Sequence, residues 1–202
     1  FLINSLANAL PATLFLLFVG QRLGAEDWRG PLLVTYFLSA IAGMPLWNLV
    51  SKRNSKHRAW CIAMLASCAV FMPAALLGQG DVAAFAVICV ASGLCLGADL
   101  VLPSSMQADV IESDRIASGT SRSAFFFAAW SLTSKLALAL AVGIAFPLLQ
   151  GFGLDAADPS KSSALSLDIL ALLYAAAPVA LKLVAIAMMW NFRLDEAALS
   201  RM

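Results

Sequence analysis

The chain has 202 residues, of which 61% are hydrophobic and only 12% are charged, and its formal net charge is +1. A water-soluble domain carries roughly 25% charged residues, so this composition excludes a water-soluble globular domain. The nearly balanced charge offers neither a basic patch for nucleic acid nor an acidic tail, and no nucleic-acid partner is expected.

Six apolar segments follow one another along the chain, and each is about as long as a membrane-crossing helix, which takes about 20 residues. They run over residues 1–20, 30–50, 59–77, 82–105, 123–149 and 164–192. Open strands are excluded, because backbone groups in lipid must find their hydrogen bonds within the segment. We therefore predict an all-α integral membrane protein in which residues 1–202 form a single six-helix transmembrane bundle.

The first segment begins directly at Phe1, without the charged region and the small-residue cleavage site of a signal peptide. We expect that an upstream part of the protein is missing from this chain. Within the segment, Asn4, Asn8 and Pro11 recur at a spacing that places them on one helix face. Two amides on one face suit a hydroxyl-rich ligand, and they suit hydrogen bonding between membrane helices equally well.

The loops carry most of the charge, and their lysines and arginines predict the orientation in the membrane. One side has the larger share, namely Lys52, Arg53, Lys56, Arg58, Arg115, Arg122, Arg193 and Arg201. The other side has Arg22, Arg29 and Lys161. We expect the more positive side to be cytoplasmic, which places both ends of this chain in the cytoplasm and makes it a multi-pass protein of the plasma (inner) membrane.

Two lysines lie inside apolar segments, where a charge is costly and normally faces a water-filled cavity or a carboxylate. Lys135 follows Arg122 by 13 positions, or roughly 20 Å of helix, which passes the middle of a bilayer. We predict a functional role for Lys135, with a structural ion pair as the alternative. Asp99, roughly 15 Å deep counted from Asp109, is its expected partner. Lys182 has no obvious acidic partner nearby, and it is left open between a packing contact and a function.

A polar stretch, Gln107–Arg122, connects the fourth segment to the fifth. Its charged residues are Asp109, Glu112, Asp114, Arg115 and Arg122. At the cytoplasmic face, these charges are candidates for ion pairs across a gate that opens and closes. The alternative is a loop whose charges are simply solvated.

Motifs for catalysis are missing from the sequence, which contains no G-x-S-x-G, no H-E-x-x-H and no glycine-rich phosphate-binding loop. The only histidine, His57, lies in a basic loop, and the four cysteines all lie in apolar runs, where they are expected to act as small hydrophobic side chains. We therefore predict no enzyme, no metal site and no cofactor.

A longer pattern spans the fourth and fifth segments. Ala108, Asp109, Val110, Ile111 and Glu112 are followed by Gly119 and Arg122, then by Phe125–Phe127, and finally by Lys135. This pattern resembles the glycoside–pentoside–hexuronide:cation symporters, a melibiose-carrier-like family of the major facilitator superfamily. The run GMPLWNLVSKRNSKHRAW is similar to the family's loop between helices eight and nine. The resemblance therefore covers essentially the whole chain, as helices seven to twelve.

The resemblance implies the C-terminal half of a major facilitator fold, built from two inverted three-helix repeats, whose N-terminal six-helix half would be a partner. It also implies alternating-access symport of a sugar or a related small solute with Na⁺ or H⁺. In the melibiose-carrier branch, the helix-eleven lysine and polar residues one turn before it belong to the sugar and coupling region, and these positions fall on Lys135, Trp130 and Ser131. The predicted cavity residues are thus Lys135, Asp99, Trp130, Ser131, Asn4 and Asn8.

Two alternatives stay open at this point. A lipid or lysolipid carrier of the same superfamily would have a wide apolar cavity, whereas a cavity lined by Asn, Trp and charges disfavours it. A non-transporting membrane scaffold subunit has no use for a lysine as costly as Lys135.

Overall fold

Six long helices make up a computed structural model of the chain, which describes residues 1–155 and 162–190. Each helix is long and apolar enough to cross a membrane, and no strand occurs in the described residues. The predicted all-α class is confirmed. The loop cation Lys161 and the tail cations Arg193 and Arg201 lie outside the described residues. The helices are α1 (Leu2–Arg22), α2 (Glu26–Arg53), α3 (Lys56–Leu76), α4 (Val82–Ser118), α5 (Ser123–Gly151) and α6 (Ala164–Met189).

The fourth helix extends further than its apolar segment. It continues past residue 105 to Ser118 and ends at Gly119, whose φ of +68° is the left-handed conformation of a helix C-cap. The predicted polar loop is therefore mostly a helical extension. Glu112 and Arg115, three positions apart, form an ion pair along this extension, which supports a helix in an aqueous setting. Hydropathy marks where the lipid ends, and the helix continues beyond that point.

The packing of the helices repeats with a two-fold pattern. Helix α1 packs against α5 and α6, and in the same way α4 packs against α2 and α3. Helices α3 and α6 pack against each other. Exchanging α1–α3 for α4–α6 therefore maps the pattern onto itself. Because each unit contains three crossings, the second unit enters the membrane from the side opposite to the first, which is the arrangement of two inverted three-helix repeats.

Two stretches of π-helix meet within the core. One closes α1 at Phe18–Arg22, and the other interrupts α6 at Leu172–Ala176. The rings of Phe18 and Tyr174 stack at 4.1 Å, and Phe85 of α4 lies 5.3 Å from Phe18. These aromatic side chains are almost completely buried, so they close the core at the end of the bundle opposite to Lys56 and Asp109.

Glycines bring α2 and α4 into backbone contact. A Cβ atom added to Gly97 would lie 2.6 Å from the carbonyl carbon of Gly43, and one added to Gly93 would lie 2.5 Å from the carbonyl oxygen of Tyr36. A Cβ on Gly43 would collide with the carbonyl oxygen of Leu94. Small residues at such contacts allow close helix approach in membranes, so this interface depends on them.

We expect Gly97→Ala to destabilise the protein by about 1–3 kcal/mol, because the new methyl group meets backbone atoms that cannot move independently. Gly143→Ala is the matched control, since Gly143 also lies inside a helix and a Cβ atom added there would meet no atom within 4 Å apart from its own helix backbone. For the control we expect a change of at most about 1 kcal/mol in the stabilising direction. Thermal unfolding of both variants in detergent measures the difference, and equal midpoints would contradict this description of the interface.

Candidate functional site

A buried ion pair joins the middle of α4 to α6. Oδ2 of Asp99 lies 3.2 Å from Nζ of Lys182, and only 11% and 7% of the respective side chains remain exposed. The sequence interpretation was wrong on this pairing, because it expected Lys135 as the partner of Asp99 and saw no partner for Lys182. The two residues are 83 positions apart, and only the packing of the helices brings them together.

Three further side chains complete what we call the Asp99 cluster, formed by Asn4, Asn8, Trp60, Asp99 and Lys182. Oδ1 of Asp99 accepts hydrogen bonds from Asn4 Nδ2 at 3.0 Å and from Trp60 Nε1 at 2.5 Å. Its Oδ2 accepts a hydrogen bond from Asn8 Nδ2 at 3.0 Å. Lys182 Nζ also donates to Asn4 Oδ1 at 3.0 Å. The single face of α1 that carries Asn4 and Asn8 thus points at the carboxylate.

The Asp99 cluster is balanced in charge and rich in hydrogen bonds. An unpaired ion taken out of water costs several kcal/mol even after the protein relaxes, and here the charges of Asp99 and Lys182 compensate each other. An ammonium has three N–H donors, of which Lys182 uses two within the described residues. One donor of Lys182 is therefore left for a further acceptor.

A cavity of ≈ 300 Å³ adjoins the Asp99 cluster. Asn8, Asp99 and Lys182 line one end of it, and its walls are mainly apolar and aromatic. The aromatic wall residues are Phe15, Tyr36, Phe37, Phe71 and Tyr174. This volume lies at the lower end of the range for small-molecule pockets, which are typically apolar with a few convergent polar groups.

The mouth of the cavity lies between α1 and α2. Ala12 of α1 and Leu33 and Phe37 of α2 line the cavity and are exposed on the surface of the bundle. These two helices are not among the pairs that pack closely. A ligand can therefore reach the Asp99 cluster from the side, through the gap between them.

Two tyrosines add hydroxyl groups to the cavity wall. Within the described residues, neither Tyr36 nor Tyr174 has a hydrogen-bond partner for its hydroxyl, although 97% of Tyr174 is buried (3% exposed). Neither hydroxyl is among the completely buried polar atoms that lack a hydrogen-bond partner, so both oxygens keep some accessible surface. Buried tyrosine hydroxyls normally find a partner, so the cavity offers free donors as well as an ion pair.

Lys135 occupies a different place from the Asp99 cluster. Helix α5 packs on α1 through a buried row of alanines that includes Ala137 and Ala141, whereas Lys135 lies exposed on another face, one turn after the exposed Ser131. In the described part of the chain, no hydrogen bond or ion pair involves Lys135. Trp130, on the α1 side of the helix, contacts Phe1 in a tilted arrangement with the ring centroids 3.8 Å apart. Of the six predicted cavity residues, the structure thus brings together Asn4, Asn8 and Asp99 and separates them from those on α5.

The five predicted gate charges are all paired within this chain. Asp109 of α4 accepts from Lys56 of α3 at 2.7 Å, and Glu112 pairs with Arg115 at 2.7 Å. Arg122 donates to both carboxylate oxygens of Asp114, which raises the pKa of its guanidinium. Of the ion pairs that these five gate charges form, only Asp109–Lys56 joins two transmembrane helices. A role of these charges in gating therefore stays a prediction.

Comparison with protein families gives a match over residues 1–196 to the family described as MFS/sugar transport protein. This match spans nearly the whole chain. The chain belongs to the MFS/sugar transport protein family of the major facilitator superfamily. Members of this family are membrane transporters and not enzymes, and the six helices described above form half of a major facilitator fold.

The chain is also similar to curated proteins, of which three are described here. Sodium-dependent lysophosphatidylcholine symporter 1-A of Danio rerio is 28% identical over 97% of this chain and 37% of its own length. Sphingosine-1-phosphate transporter MFSD2B of Xenopus tropicalis is 28% identical over 74% of this chain and 29% of its own length. Uncharacterized symporter sll1374 of Synechocystis is 24% identical over 89% of this chain and 34% of its own length. The chain spans about a third of the length of the relatives it matches.

The family match and these relatives support the major facilitator superfamily, and they do not support the melibiose-carrier-like branch in particular. The expected sugar substrate finds no support in their names, and the lipid-carrier alternative finds more. The family match also explains why the chain exposes so much apolar surface, such as Leu38, Val87 and Leu132, each more than 60% exposed. In a multi-pass membrane protein these side chains face lipid or other transmembrane helices.

Proposed function

We propose that this chain is part of a sodium-coupled symporter that moves lysophospholipids or similar amphiphiles, and that it works together with a second six-helix half. Relatives that align over nearly the whole of this chain are named as sodium-dependent lysophosphatidylcholine symporters, which supports both the cation and the substrate class. The side that carries Lys56 and Arg122 is cytoplasmic in this proposal, because most of the loop lysines and arginines lie there.

The observation that carries the substrate class is the composition of the cavity. A sugar presents hydroxyl groups in all directions, and its site needs a matching number of hydrogen-bonding side chains. The cavity next to the Asp99 cluster instead has a mainly apolar and aromatic lining, and its two charged residues, Asp99 and Lys182, are paired with each other. An amphiphile has the same division into an apolar part and a charged part, so it suits this cavity better.

A second six-helix half is supported by the exposure of Lys135. This lysine lies 12 positions into α5, roughly 18 Å from the start of the helix at Ser123. A lysine at that depth does not face hydrocarbon chains, and it normally faces a cavity or the interior of a bundle. We therefore infer that the face of α5 with Ser131 and Lys135 borders a water-filled pathway between two halves, where Lys135 attracts the phosphate of a passing lysophospholipid.

Uptake by the complete transporter in proteoliposomes tests this proposal. We expect an inward sodium gradient to drive accumulation of labelled lysophosphatidylcholine, and we expect no accumulation of a disaccharide such as melibiose. A proton gradient is the control for the coupling ion. Melibiose uptake without lysophosphatidylcholine uptake would contradict the substrate class, and uptake that follows the proton gradient alone would contradict sodium coupling.

A further inference from the structure

We propose that the Asp99 cluster and its cavity form a binding site for a zwitterionic headgroup that carries an ammonium and a phosphate. In this site Asp99 holds the ammonium and Lys182 holds the phosphate. The inference rests on the proposed function, since it names the residues that would read the headgroup of the transported lysophospholipid.

A zwitterionic headgroup would preserve the charge balance of the Asp99 cluster. Asp99 and Lys182 form a neutral pair that is at least 89% buried on each side chain. A zwitterion can insert beside this pair with its charges in the opposite order, so that every charge gains a neighbour of opposite sign and the net charge of the site stays zero. A headgroup with a net charge would leave one ion uncompensated in a low-dielectric interior, where that costs several kcal/mol.

The cavity also offers polar groups that can bind a ligand. The third N–H of Lys182 and the hydroxyls of Tyr36 and Tyr174 have no partner within the described residues, and all three residues line the cavity. Phosphate oxygens are strong acceptors for an ammonium and for hydroxyl donors. The free N–H of Lys182 is therefore suited to a phosphate that enters next to the ion pair, and the tyrosine hydroxyls offer further donors elsewhere on the cavity wall.

The aromatic wall of the cavity suits the ammonium of the headgroup. Phe15, Tyr36, Phe37, Phe71 and Tyr174 line the cavity that ends at Asp99. The faces of aromatic rings attract quaternary ammonium groups, and recognition of choline commonly uses several rings together. A carboxylate at the end of a ring-lined cavity complements a trimethylammonium group better than it complements an acyl chain.

The cavity is accessible to a headgroup from the surface of the bundle. Phe37 is 52% exposed at the mouth between α1 and α2, so a headgroup can enter without unfolding the bundle. At ≈ 300 Å³, the cavity is of a size for a headgroup and leaves a long acyl chain outside. The chain of the substrate would then lie along the gap between these two helices.

Binding of deacylated headgroups to the complete, purified transporter tests the inference without relying on transport. The probes are glycerophosphocholine, which is zwitterionic, and glycerol 3-phosphate, which is anionic. By calorimetry we expect glycerophosphocholine to bind at least about tenfold more tightly to the unmodified protein, because only the anion leaves a charge uncompensated. Equal affinities, or tighter binding of glycerol 3-phosphate, would overturn the inference.

Charge variants make the test specific to this ion pair. Asp99→Asn leaves the site with a net positive charge, and we expect the preference to reverse in favour of glycerol 3-phosphate. Lys182→Gln leaves a net negative charge, and we expect free choline to bind more tightly than glycerophosphocholine. A purely structural ion pair would lower all affinities together without changing their order, and that result would overturn the inference.

A surface variant keeps the test decisive if the charge variants do not fold. Phe37→Ala removes one ring from the aromatic lining of the cavity, and we expect it to weaken glycerophosphocholine binding by about tenfold through the lost contact between this ring and the headgroup. Leu38→Ala is the matched control, because Leu38 is the next residue, is 62% exposed and does not line the cavity. Equal affinities of the two variants would overturn the inference.

The uptake assay separates this inference from the proposed function. If the protein binds glycerophosphocholine with the expected order but does not accumulate lysophosphatidylcholine, the proposed function fails and the headgroup site stands. If it accumulates lysophosphatidylcholine but the charge variants keep the original order of headgroups, the headgroup site fails and the proposed function stands.

Discussion

Lys182→Met is expected to lower the stability of the protein by about 3 kcal/mol, because it leaves Asp99 as a buried carboxylate without its cation. Asn4 also loses the donor to its carbonyl oxygen. The double variant Lys182→Met with Asp99→Asn removes both charges and keeps an oxygen that accepts from Trp60 and Asn4. We expect it to recover at least about 1 kcal/mol relative to the sum of the single changes, which is the range for residues in one network.

Thermal unfolding of the complete protein in detergent, for the wild type and the three variants, completes this double-mutant cycle. Lys52→Met is the matched control, because Lys52 is exposed at the end of α2 and surface substitutions usually change stability by less than about 0.5 kcal/mol. Strict additivity of the two single changes would contradict the ion pair between Asp99 and Lys182.

Lys135→Ala is expected to have the opposite signature, with a large loss of transport and little loss of stability. Within the described residues Lys135 has no ion-pair partner and its side chain is exposed, so few contacts disappear with it. We expect uptake of lysophosphatidylcholine to fall at least about tenfold, which corresponds to about 1.4 kcal/mol of lost interaction with the substrate. The initial uptake rate in proteoliposomes, together with the unfolding midpoint, measures both effects.

Two control variants show whether the charge of Lys135 causes the loss of uptake. Lys135→Arg keeps the positive charge and should retain part of the uptake, and Ser131→Ala changes the same helix face without changing its charge. Normal uptake by Lys135→Ala would exclude the lysine from the transport pathway. A fall in the unfolding midpoint as large as that of Lys182→Met would instead indicate a structural ion pair with a residue outside this chain.

The fold follows closely from the hydropathy of the sequence, because lipid selects long apolar helices so strongly. The end of α4 does not, because the residues from Gln107 to Ser118 are polar and read as a loop. Helix formers such as Glu112 and Arg115 can extend a helix into water, and hydropathy does not detect this. Gly93 and Gly97 have the four-residue spacing that is typical of close helix packing in membranes, and the structure places them against α2.

The site was predictable only where it depends on spacing along one helix. Asn4 and Asn8 share a face by periodicity, and both contact Asp99. The partner of Asp99 depends on how α4 and α6 pack, which sequence spacing does not reveal. One signal was present, since Asp99 and Lys182 each lie near the middle of an apolar segment and so at a similar depth. The sequence did not indicate that Tyr36 and Tyr174 line a cavity, because aromatic residues are common throughout such apolar segments.

The most direct test of sodium-coupled symport is to measure radioactive sodium entering proteoliposomes that contain the complete transporter. Lysophosphatidylcholine is added outside, with no sodium gradient imposed. We expect the lysophospholipid to drive sodium inward, because the two move together, and we expect Lys135→Ala to abolish this flux. Sodium entry that does not respond to lysophosphatidylcholine, in a protein that still accumulates the lipid, would contradict sodium-coupled symport.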